Sequence, residues 1–356
     1  MNQLKFRVIG LMSGTSLDGL DIAFMTFGLK NNVWGFKILN STTVNYSQEW
    51  HTFLKTAHTL SKQNLQKLDS KYGNWLGEQV HVFITENNIK NVDLICSHGH
   101  TVHHQPEIKR TVQIGNGPEL HKKTGLPVVC DFRVQDVLLG GQGAPLVPIG
   151  DELLFNEYGA CINLGGFANI SLNTGKRIAF DICPVNIVMN EICKKLGVDF
   201  DANGMIARNG KINQTLLNEL NNLPFYAQDA PKSLGREWVD SYIFPLFTNK
   251  FSPEDLLRTF VEHIATQIAN VLQPKPSINK AILLTGGGTF NDFLIERIVA
   301  KTSSAYAFVI PDEEIINYKE ALIFGFLGVL RWTNQPNCLS SVTGASSDHS
   351  SGRIYR

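Results

Sequence analysis

Between two predicted strands the sequence reads Gly10-Leu11-Met12-Ser13-Gly14-Thr15-Ser16-Leu17-Asp18-Gly19-Leu20-Asp21. The flanking residues 4–9 and 20–27 carry strand-type patterns, which predicts a strand–turn–strand hairpin with a polar, glycine-rich tip. Glycines let the backbone approach a ligand closely, and N–H groups and hydroxyls in such a turn can hold phosphate oxygens. Asp18 and Asp21 carry the oxygen ligands that Mg²⁺ takes, directly or through water. The alternative is a tight turn whose Ser and Thr side chains satisfy its own backbone.

Length and composition indicate a globular protein with room for two domains. The 356 residues are 43% hydrophobic and 18% charged, which suits large cores. Lys and Arg number 32, as do Asp and Glu, so the zero net charge gives no support for nucleic-acid or membrane-surface binding. The six cysteines form no Cys-x-x-Cys pair, which indicates buried thiols in a reducing compartment. With neither a secretory signal nor a membrane-spanning run visible, we expect a cytoplasmic protein.

The first part of the chain has the order β-β-β-α-β, which is the usual opening of a ribonuclease-H-like domain. The apolar patterns predict strands at 4–12, 20–28, 33–44 and 92–97. They predict helices at 47–60 and 61–87.

Four histidines follow within seven residues, at His98, His100, His103 and His104. Zinc sites use histidines at comparable spacings, but no carboxylate or thiol lies within this cluster to complete a site. A metal site therefore stays an alternative here.

A glycine- and proline-rich loop, residues 139–148, follows the segment Asp131-Phe132-Arg133-Val134-Gln135-Asp136. Its three glycines and two prolines predict a fixed loop instead of a helix. Arg133 can make planar, bidentate contacts with a carboxylate or a phosphate. A loop braced by an Arg133–Asp136 ion pair is the alternative.

The first hairpin pattern recurs roughly 150 residues later, at residues 160–172, with Gly165 and Gly166 in the turn. A third strand follows and ends at Asp181. An aspartate in this position can be a general base or can help to bind a metal. A turn-forming aspartate is the alternative. We interpret the recurrence as an internal duplication, with two domains facing each other across a cleft and both glycine turns on one polyphosphate.

A third glycine turn, Gly286-Gly287-Gly288, lies between a buried strand at 281–285 and the helix cap Asn291. Such a turn can bind phosphate. Helices are predicted from Ser252 to a stop at Pro274, and from about Glu320 to Trp332.

Taken together, these motifs resemble the anhydro-N-acetylmuramic acid kinases, which belong to the superfamily of sugar kinases, actin and heat-shock ATPases. The resemblance covers residues 6 to about 346. Besides residues 10–21 and 131–148 it rests on His98-Gly99-His100-Thr101 (with His for the family's Gln), Gln113-Ile114-Gly115-Asn116, Pro231-Lys232-Ser233-Leu234-Gly235-Arg236-Glu237, Glu320-Ala321-Leu322-Ile323-Phe324-Gly325 and Ser341-Val342-Thr343-Gly344-Ala345-Ser346. One stretch departs from the family: Asp181-Ile182-Cys183-Pro184-Val185-Asn186 stands where the family usually reads DTGPGN.

The resemblance implies an α/β fold of two ribonuclease-H-like (actin-like ATPase) domains that flank a central nucleotide and substrate cleft. We expect the domains at 1–150 and 151–335, with a tail at 336–356 that packs back. The resemblance implies an ATP-dependent kinase for a sugar, with ATP and Mg²⁺ required, and it allows a homodimer.

The resemblance also implies roles for individual residues. Asp181 would be the catalytic base, and Asp18 and Asp21 would hold the metal. Glu320 would touch the sugar; a first-turn acid that favours the helix dipole is its alternative. The expected substrate-binding residues are His98, Arg133, Asp136 and Glu320. The expected ATP-binding residues are Ser13, Gly14, Thr15, Ser16, Leu17, Asp18, Gly19, Asp21, Gly165, Gly166, Asn169, Gly286, Gly287, Gly288 and Asn291 (the triple-glycine turn on the adenosine side).

Two alternative functions stay open at this point. The altered stretch from Ile182 to Val185 permits a kinase of the same fold that acts on another sugar or hydroxylated metabolite. A non-catalytic ATP-binding protein of actin-like or sensor type is the second alternative, and the joint presence of Asp18, Asp21, Arg133 and Asp181 argues against it.

Overall fold

The computed structural model describes residues 4–115, 117–248, 250–273 and 281–356. These residues form two compact units. The first unit contains the described residues up to Leu154 and those from Tyr318 to Arg356, and the second contains those from Phe155 to Asn317.

The strands of the described residues are β1 (Leu4–Ser13), β2 (Leu20–Lys30), β3 (Val33–Val44), β4 (Leu94–Gln105), β5 (Arg110–Ile114), β6 (Val128–Cys130), β7 (Ala160–Leu164), β8 (Phe167–Asn173), β9 (Arg177–Pro184), β10 (Ala281–Thr285), β11 (Ala307–Val309) and β12 (Arg353–Tyr355). The α-helices are α1 (Gln48–Thr56), α2 (Lys62–Glu86), α3 (Pro118–Thr124), α4 (Val134–Leu138), α5 (Pro148–Leu153), α6 (Asn186–Lys194), α7 (Met205–Asn209), α8 (Gln214–Asn221), α9 (Arg236–Trp238), α10 (Pro253–Val271), α11 (Asp292–Lys301), α12 (Glu313–Trp332) and α13 (Ser340–Thr343).

The first unit is built on a seven-stranded sheet in the order β12-β6-β4-β1-β2-β3, with β5 paired to β4. The strands β1, β2 and β3 are antiparallel neighbours, whereas β4 runs parallel to β1 and to β6. Helix α2 has an apolar stripe at a spacing of four residues, as a helix that covers a sheet requires. Tyr72, Leu76 and Val80 on this stripe share a hydrophobic core with Ile9 and Ile22 of the sheet.

The second unit repeats this topology in a five-stranded sheet with the order β11-β10-β7-β8-β9. Here β7, β8 and β9 are antiparallel neighbours, and β10 runs parallel to β7 and to β11. Strand order and direction therefore match between β3-β2-β1-β4-β6 and β9-β8-β7-β10-β11. This match confirms the predicted α/β class with two ribonuclease-H-like domains and an internal duplication.

From Tyr318 onward helix α12 belongs to the first unit, although the sequence pattern assigned residues 318–335 to the second domain. The reason is close backbone packing between α12 and β1, because a side chain on Gly10 would collide with the carbonyl oxygen of Ala321. After α12, strand β12 pairs antiparallel with β6 at the edge of the same sheet.

Three elements are longer than their sequence patterns indicate. Strand β4 continues past residue 97 to Gln105, because β5 supplies a partner for its second half. Strand β9 continues to Pro184, so Asp181 lies inside the strand instead of at its end. Helix α12 begins at Glu313, two turns before its predicted start.

Other sequence-based expectations concern single features. All six cysteines are buried and unpaired, as expected. Among the described residues no helix combines the length and apolar character needed to cross a membrane. Pro274, the predicted helix stop, and Asn116, the last residue of one motif, lie outside the described residues.

Candidate active site

The turn between β1 and β2 presents polar side chains to solvent. Thr15, Ser16 and Asp18 are exposed, whereas Ser13 at the end of β1 is buried. Leu17 (φ 61°) and Gly19 (φ 153°) adopt positive φ. Gly19 also has no room for a side chain, because a Cβ there would lie 2.7 Å from Thr43 Cγ2. The turn is therefore a fixed feature whose exposed face is available to a ligand.

Ser13 belongs to a buried chain of hydrogen bonds. The Tyr46 hydroxyl donates to Ser13 Oγ (2.7 Å) and lies 2.7 Å from the Tyr72 hydroxyl, while Ser13 Oγ lies 3.0 Å from His100 Nδ1. Since the single hydroxyl proton of Tyr46 goes to Ser13, Tyr72 donates to Tyr46. Burial lowers the pKa of His100 to about 4, which keeps the ring neutral at neutral pH. The Ser13 side chain is thus engaged within the protein, with Tyr46 on one side and His100 on the other.

Removal of one hydroxyl from this chain should destabilise the fold. In Tyr46→Phe the buried Tyr72 hydroxyl loses its acceptor, so we expect a loss of about 1–3 kcal/mol in the free energy of unfolding. Urea unfolding measures this loss. Tyr242→Phe is the control, because Tyr242 is 48% exposed and should change stability by less than about 0.5 kcal/mol. Equal stabilities of the two variants would contradict the hydrogen-bond chain.

The two acids predicted to hold a metal lie close enough to interact. Asp21 accepts a hydrogen bond from Thr43 Oγ1 at 2.6 Å, across the register pair that joins β2 and β3. Burial raises the pKa of Asp21, and the negative charge of Asp18 raises it further. A cation near both carboxylates would relieve this repulsion, and hard oxygen donors are what Mg²⁺ prefers. The residues present therefore fit the predicted ion.

His98 and Arg133 form a direct contact on the first unit. His98 Nδ1 lies 2.9 Å from the carbonyl oxygen of Gly99, so this nitrogen carries the proton. His98 Nε2 then accepts from Arg133 Nε (3.0 Å) and Nη2 (2.9 Å). Burial, with the charge of Arg133, holds the pKa of His98 well below its usual range. The histidine is a neutral acceptor that orients the guanidinium.

Arg133 and Asp136 do not pair with each other; both bind Gly143. Arg133 Nη1 donates to the carbonyl oxygen of Gly143 (2.6 Å), and the Gly143 N–H donates to Asp136 Oδ2 (2.7 Å). The alternative of an Arg133–Asp136 ion pair is therefore wrong, although the predicted brace on the loop exists. Asp136 is completely buried and also accepts a hydrogen bond from Thr343 Oγ1 (2.7 Å). It therefore lies on the inner side of the loop, away from solvent.

Glu320 lies in the third turn of α12, because the helix begins at Glu313. The alternative of a first-turn acid that favours the helix dipole is therefore wrong. The side chain has an open face, yet the protein around it desolvates the carboxylate and raises its pKa. The charge of Arg133 lowers the pKa of Glu320, and those of Asp21 and Asp18 raise it. Glu320 thus interacts electrostatically with Asp18 and Asp21, the predicted metal ligands, and with Arg133, a predicted substrate-binding residue.

Three of the four histidines of β4 contact three different partners. His98 contacts Arg133, His100 contacts Ser13, and His104 Nδ1 lies 3.2 Å from Thr111 Oγ1. Within the described residues these histidines do not converge on a metal site, so the zinc alternative for this cluster is wrong.

In the second unit, Asp181 is held by a segment that the sequence pattern did not connect with it. Asp181 Oδ2 accepts from the backbone N–H of Leu234 (2.8 Å), and the Asp181 N–H donates to the carbonyl oxygen of Lys232 (3.0 Å). Burial raises the pKa of Asp181. Because β9 continues past it, the alternative of a turn-forming aspartate is wrong. In the sequence this segment is marked only by the Pro231–Glu237 motif, which the resemblance does not connect with Asp181.

Asp181 also ends a row of polar residues that runs across four strands. The register pairs Thr285 with Asn163, Asn163 with Asn169, and Asn169 with Asp181. Directly opposed residues of neighbouring strands place their side chains on one face of a sheet. The predicted residue Asn169 therefore lies beside Asp181, and Asn163 and Thr285 are additions that sequence reasoning missed.

The two glycine turns of the second unit are packed against each other. A Cβ on Gly288 would lie 2.8 Å from Leu164 Cβ, just before Gly165. Gly286 has a φ of 84° and accepts from Thr289 Oγ1 (2.6 Å) through its carbonyl oxygen. The exposed residues of these turns are Gly166 and Gly287.

Each of these turns also contacts the start of a helix of the second unit. Asn291 accepts from the Leu294 N–H (2.9 Å), which confirms the predicted cap of α11. At α6 the N–H groups of Val185 (2.8 Å) and Asn186 (3.2 Å) donate to the carbonyl oxygens of Gly166 and Gly165.

The stretch that departs from the family pattern faces the core. Ile182, Cys183 and Val185 are each at most 2% exposed and belong to the hydrophobic core of the second unit. The altered side chains are therefore part of the core packing of this unit.

Comparison with known proteins identifies the relatives of this chain. The family model for anhydro-N-acetylmuramic acid kinase matches residues 6–356. The anhydro-N-acetylmuramic acid kinase of Mannheimia succiniciproducens is 34% identical, over 99% of this chain and 99% of its own length. That of Haemophilus influenzae is 34% identical over 98% and 97%, and that of Bacillus cereus is 32% identical over 95% and 96%. The chain therefore belongs to the anhydro-N-acetylmuramic acid kinase family.

Proposed function

We propose that this protein is an ATP-dependent kinase that opens the 1,6-anhydro ring of anhydro-N-acetylmuramic acid and phosphorylates O6. The products are N-acetylmuramic acid 6-phosphate and ADP, a step of cell-wall recycling that we assign to the cytoplasm. Family membership supports the reaction class, and the half-buried, oriented carboxylate of Asp181 is the observation that carries the chemistry.

In this proposal Asp181 is the general base. Its carboxylate takes a proton from a water molecule whose oxygen forms the new bond to the anomeric carbon. The bond between that carbon and O6 breaks, and O6 takes the γ-phosphoryl group of ATP as ADP leaves. The hydrogen bond from the Leu234 N–H fixes one carboxylate oxygen and leaves the other free to accept the proton. Desolvation of the carboxylate raises its basicity toward neutral pH, where a base is most effective.

The first unit supplies the proposed binding groups. The exposed turn with Thr15 and Ser16 offers N–H and hydroxyl donors to the phosphates. A Mg²⁺ ion held by Asp18 and Asp21 would neutralise phosphate charge. Arg133 uses three of its five N–H groups on His98 and Gly143, so two remain for the carboxylate of the sugar.

An assay of the purified chain with ATP, Mg²⁺ and 1,6-anhydro-N-acetylmuramic acid tests this function. We expect ADP release that depends on the sugar, and a sugar product heavier by one water and one phosphoryl group. A product that gains only the phosphoryl group would remove the hydrolytic step. Binding of ATP without any sugar product would overturn the proposed substrate, and a panel of other sugars would then identify the acceptor.

The pH dependence of kcat/KM should reflect the raised pKa of Asp181. The base acts only as the carboxylate, so the rate falls as the pH drops through this pKa. Because burial raises the pKa above the ordinary value of 3.8, the acid limb should lie above that pH. Circular dichroism at each pH separates titration from unfolding. A midpoint at or below the ordinary value, with the fold intact, would contradict the role of burial.

A further inference from the structure

Three side chains with metal-binding atoms meet inside the first unit, away from the residues discussed for ATP and Mg²⁺. Cys338 and His349 face each other in an isolated antiparallel bridge, with the His349 N–H donating to the Cys338 carbonyl (3.3 Å) and the Cys338 N–H to the His349 carbonyl (3.1 Å). Opposed residues of such a bridge project to the same side. Asp136, on α4, completes the group, and all three residues are buried.

The histidine of this group has a nitrogen that the fold leaves open. His349 Nδ1 lies 3.0 Å from the carbonyl oxygen of Ser347, so Nδ1 carries the proton. In a neutral ring His349 Nε2 is then a bare lone pair. It is buried without a hydrogen-bond partner and lies 3.5 Å from Asp136 Oδ1. Two electron-rich atoms in that position repel each other unless a positive charge lies between them.

We propose that Asp136 Oδ1, Cys338 Sγ and His349 Nε2 bind one zinc ion or a similar borderline-soft divalent cation. The three ligand atoms lie within 4.8 Å of one another. Zinc distances of about 2.0–2.1 Å to nitrogen and about 2.0–2.2 Å to oxygen, at a tetrahedral angle, separate the two ligand atoms by about 3.3–3.5 Å. The observed 3.5 Å between His349 Nε2 and Asp136 Oδ1 fits this edge, whereas it is long for a hydrogen bond. In a tetrahedral site these three side chains leave one coordination position for a small ligand such as water.

Such an ion would stabilise the loop that holds Arg133, the residue proposed to bind the sugar. Asp136 also accepts from Gly143, and Gly143 in turn holds Arg133. The ion would therefore join the loop that orients Arg133 to the segment around Cys338 and His349. Its role is structural, because every ligand is buried.

Metal binding by the tag-free full chain tests the site without recourse to activity. After treatment with a chelator, titration with Zn²⁺ should give one tightly bound ion per chain. Co²⁺ in its place should give the absorption of a thiolate–cobalt bond. In Cys338→Ala this absorption should vanish and the Kd for Zn²⁺ should rise at least about 100-fold, since even indirect partners of a metal ligand cost 10–100-fold. His349→Gln should weaken binding while it keeps the thiolate band.

Cys193→Ala is the matched control, because Cys193 is also fully buried but lies in the second unit. It should retain the cobalt absorption and the zinc affinity. Thermal unfolding of the wild type, with and without Zn²⁺, covers the case in which Cys338→Ala does not fold, because a site in the native state must raise Tm. No stoichiometric metal and no rise in Tm would overturn the proposal in favour of an imidazolium–carboxylate pair. A cobalt band that survives in Cys338→Ala would overturn it as well.

Discussion

Asp181→Asn is expected to lower kcat by about 10² or more, the scale of a lost general base. Asparagine has the same shape and can still accept the hydrogen bond from Leu234, so the loop around it should keep its place. What disappears is the ability to take a proton from water. The KM values for ATP and sugar should change little, because the proposed role concerns the chemical step.

The same substitution should leave stability unchanged or raise it. Burial raises the pKa of Asp181, which means that the ionised carboxylate costs free energy in the folded state. This cost is present above the raised pKa and disappears at lower pH, so at neutral pH the neutral amide removes it. Steady-state ADP release and a thermal melt measure both effects.

Asp199→Asn, at an exposed position of the same unit, is the control for the loss of a negative charge. A nearly wild-type kcat for Asp181→Asn would remove Asp181 from the role of base. A slow and also unstable variant would point to a structural role instead.

Asp151→Asn is expected to destabilise the protein by about 3–5 kcal/mol, because it breaks a buried ion pair. Asp151 Oδ1 lies 2.7 Å from Lys319 Nζ, and the two side chains are only 4% and 9% exposed. The amide has no charge, so Lys319 loses the carboxylate at 2.7 Å, and burial prevents water from replacing it. The free energy of unfolding, measured with urea, should therefore fall sharply.

The double variant Asp151→Asn/Lys319→Met distinguishes two effects: the loss of the ion-pair attraction and the cost of a buried Lys319 charge without its carboxylate. Removal of both charges should recover most of the lost stability, since a buried pair contributes little net free energy. Lys122→Met is the control, because Lys122 lies 3.7 Å from Glu119 with a side chain 74% exposed. A loss of less than about 1 kcal/mol in Asp151→Asn would show that the Lys319 charge is compensated by other means.

Both sheets were predictable where the signals are local. The hairpins around Gly14 and Gly165 follow from strand patterns and turn residues within a few positions of each other. The return of the chain to the first unit could not be predicted, because the contact between Gly10 and Ala321 joins residues that are far apart in sequence. No local pattern marks the point where α12 changes units.

The candidate site was predictable in its residue types but not in its contacts. Asp181 and Arg133 stand in recognisable motifs, whereas Leu234 acts through a backbone N–H that every residue except proline has. Asn163 and Thr285 join the polar row only through strand register, which depends on the folded sheet. The departure from Ile182 to Val185 left another substrate open in the sequence, and only the folded structure shows that Val185 lies in the core.

The first unit is assembled from two separated segments, and this affects the order of events during protein synthesis. Residues 155–317, which form the second unit, emerge from the ribosome as one continuous piece. At that moment the first unit still lacks α12, which packs on β1, and β12, which pairs with β6. Although its N-terminal part is made first, this unit is therefore the last to complete its fold, and its unfinished sheet needs protection until residues 318–356 arrive.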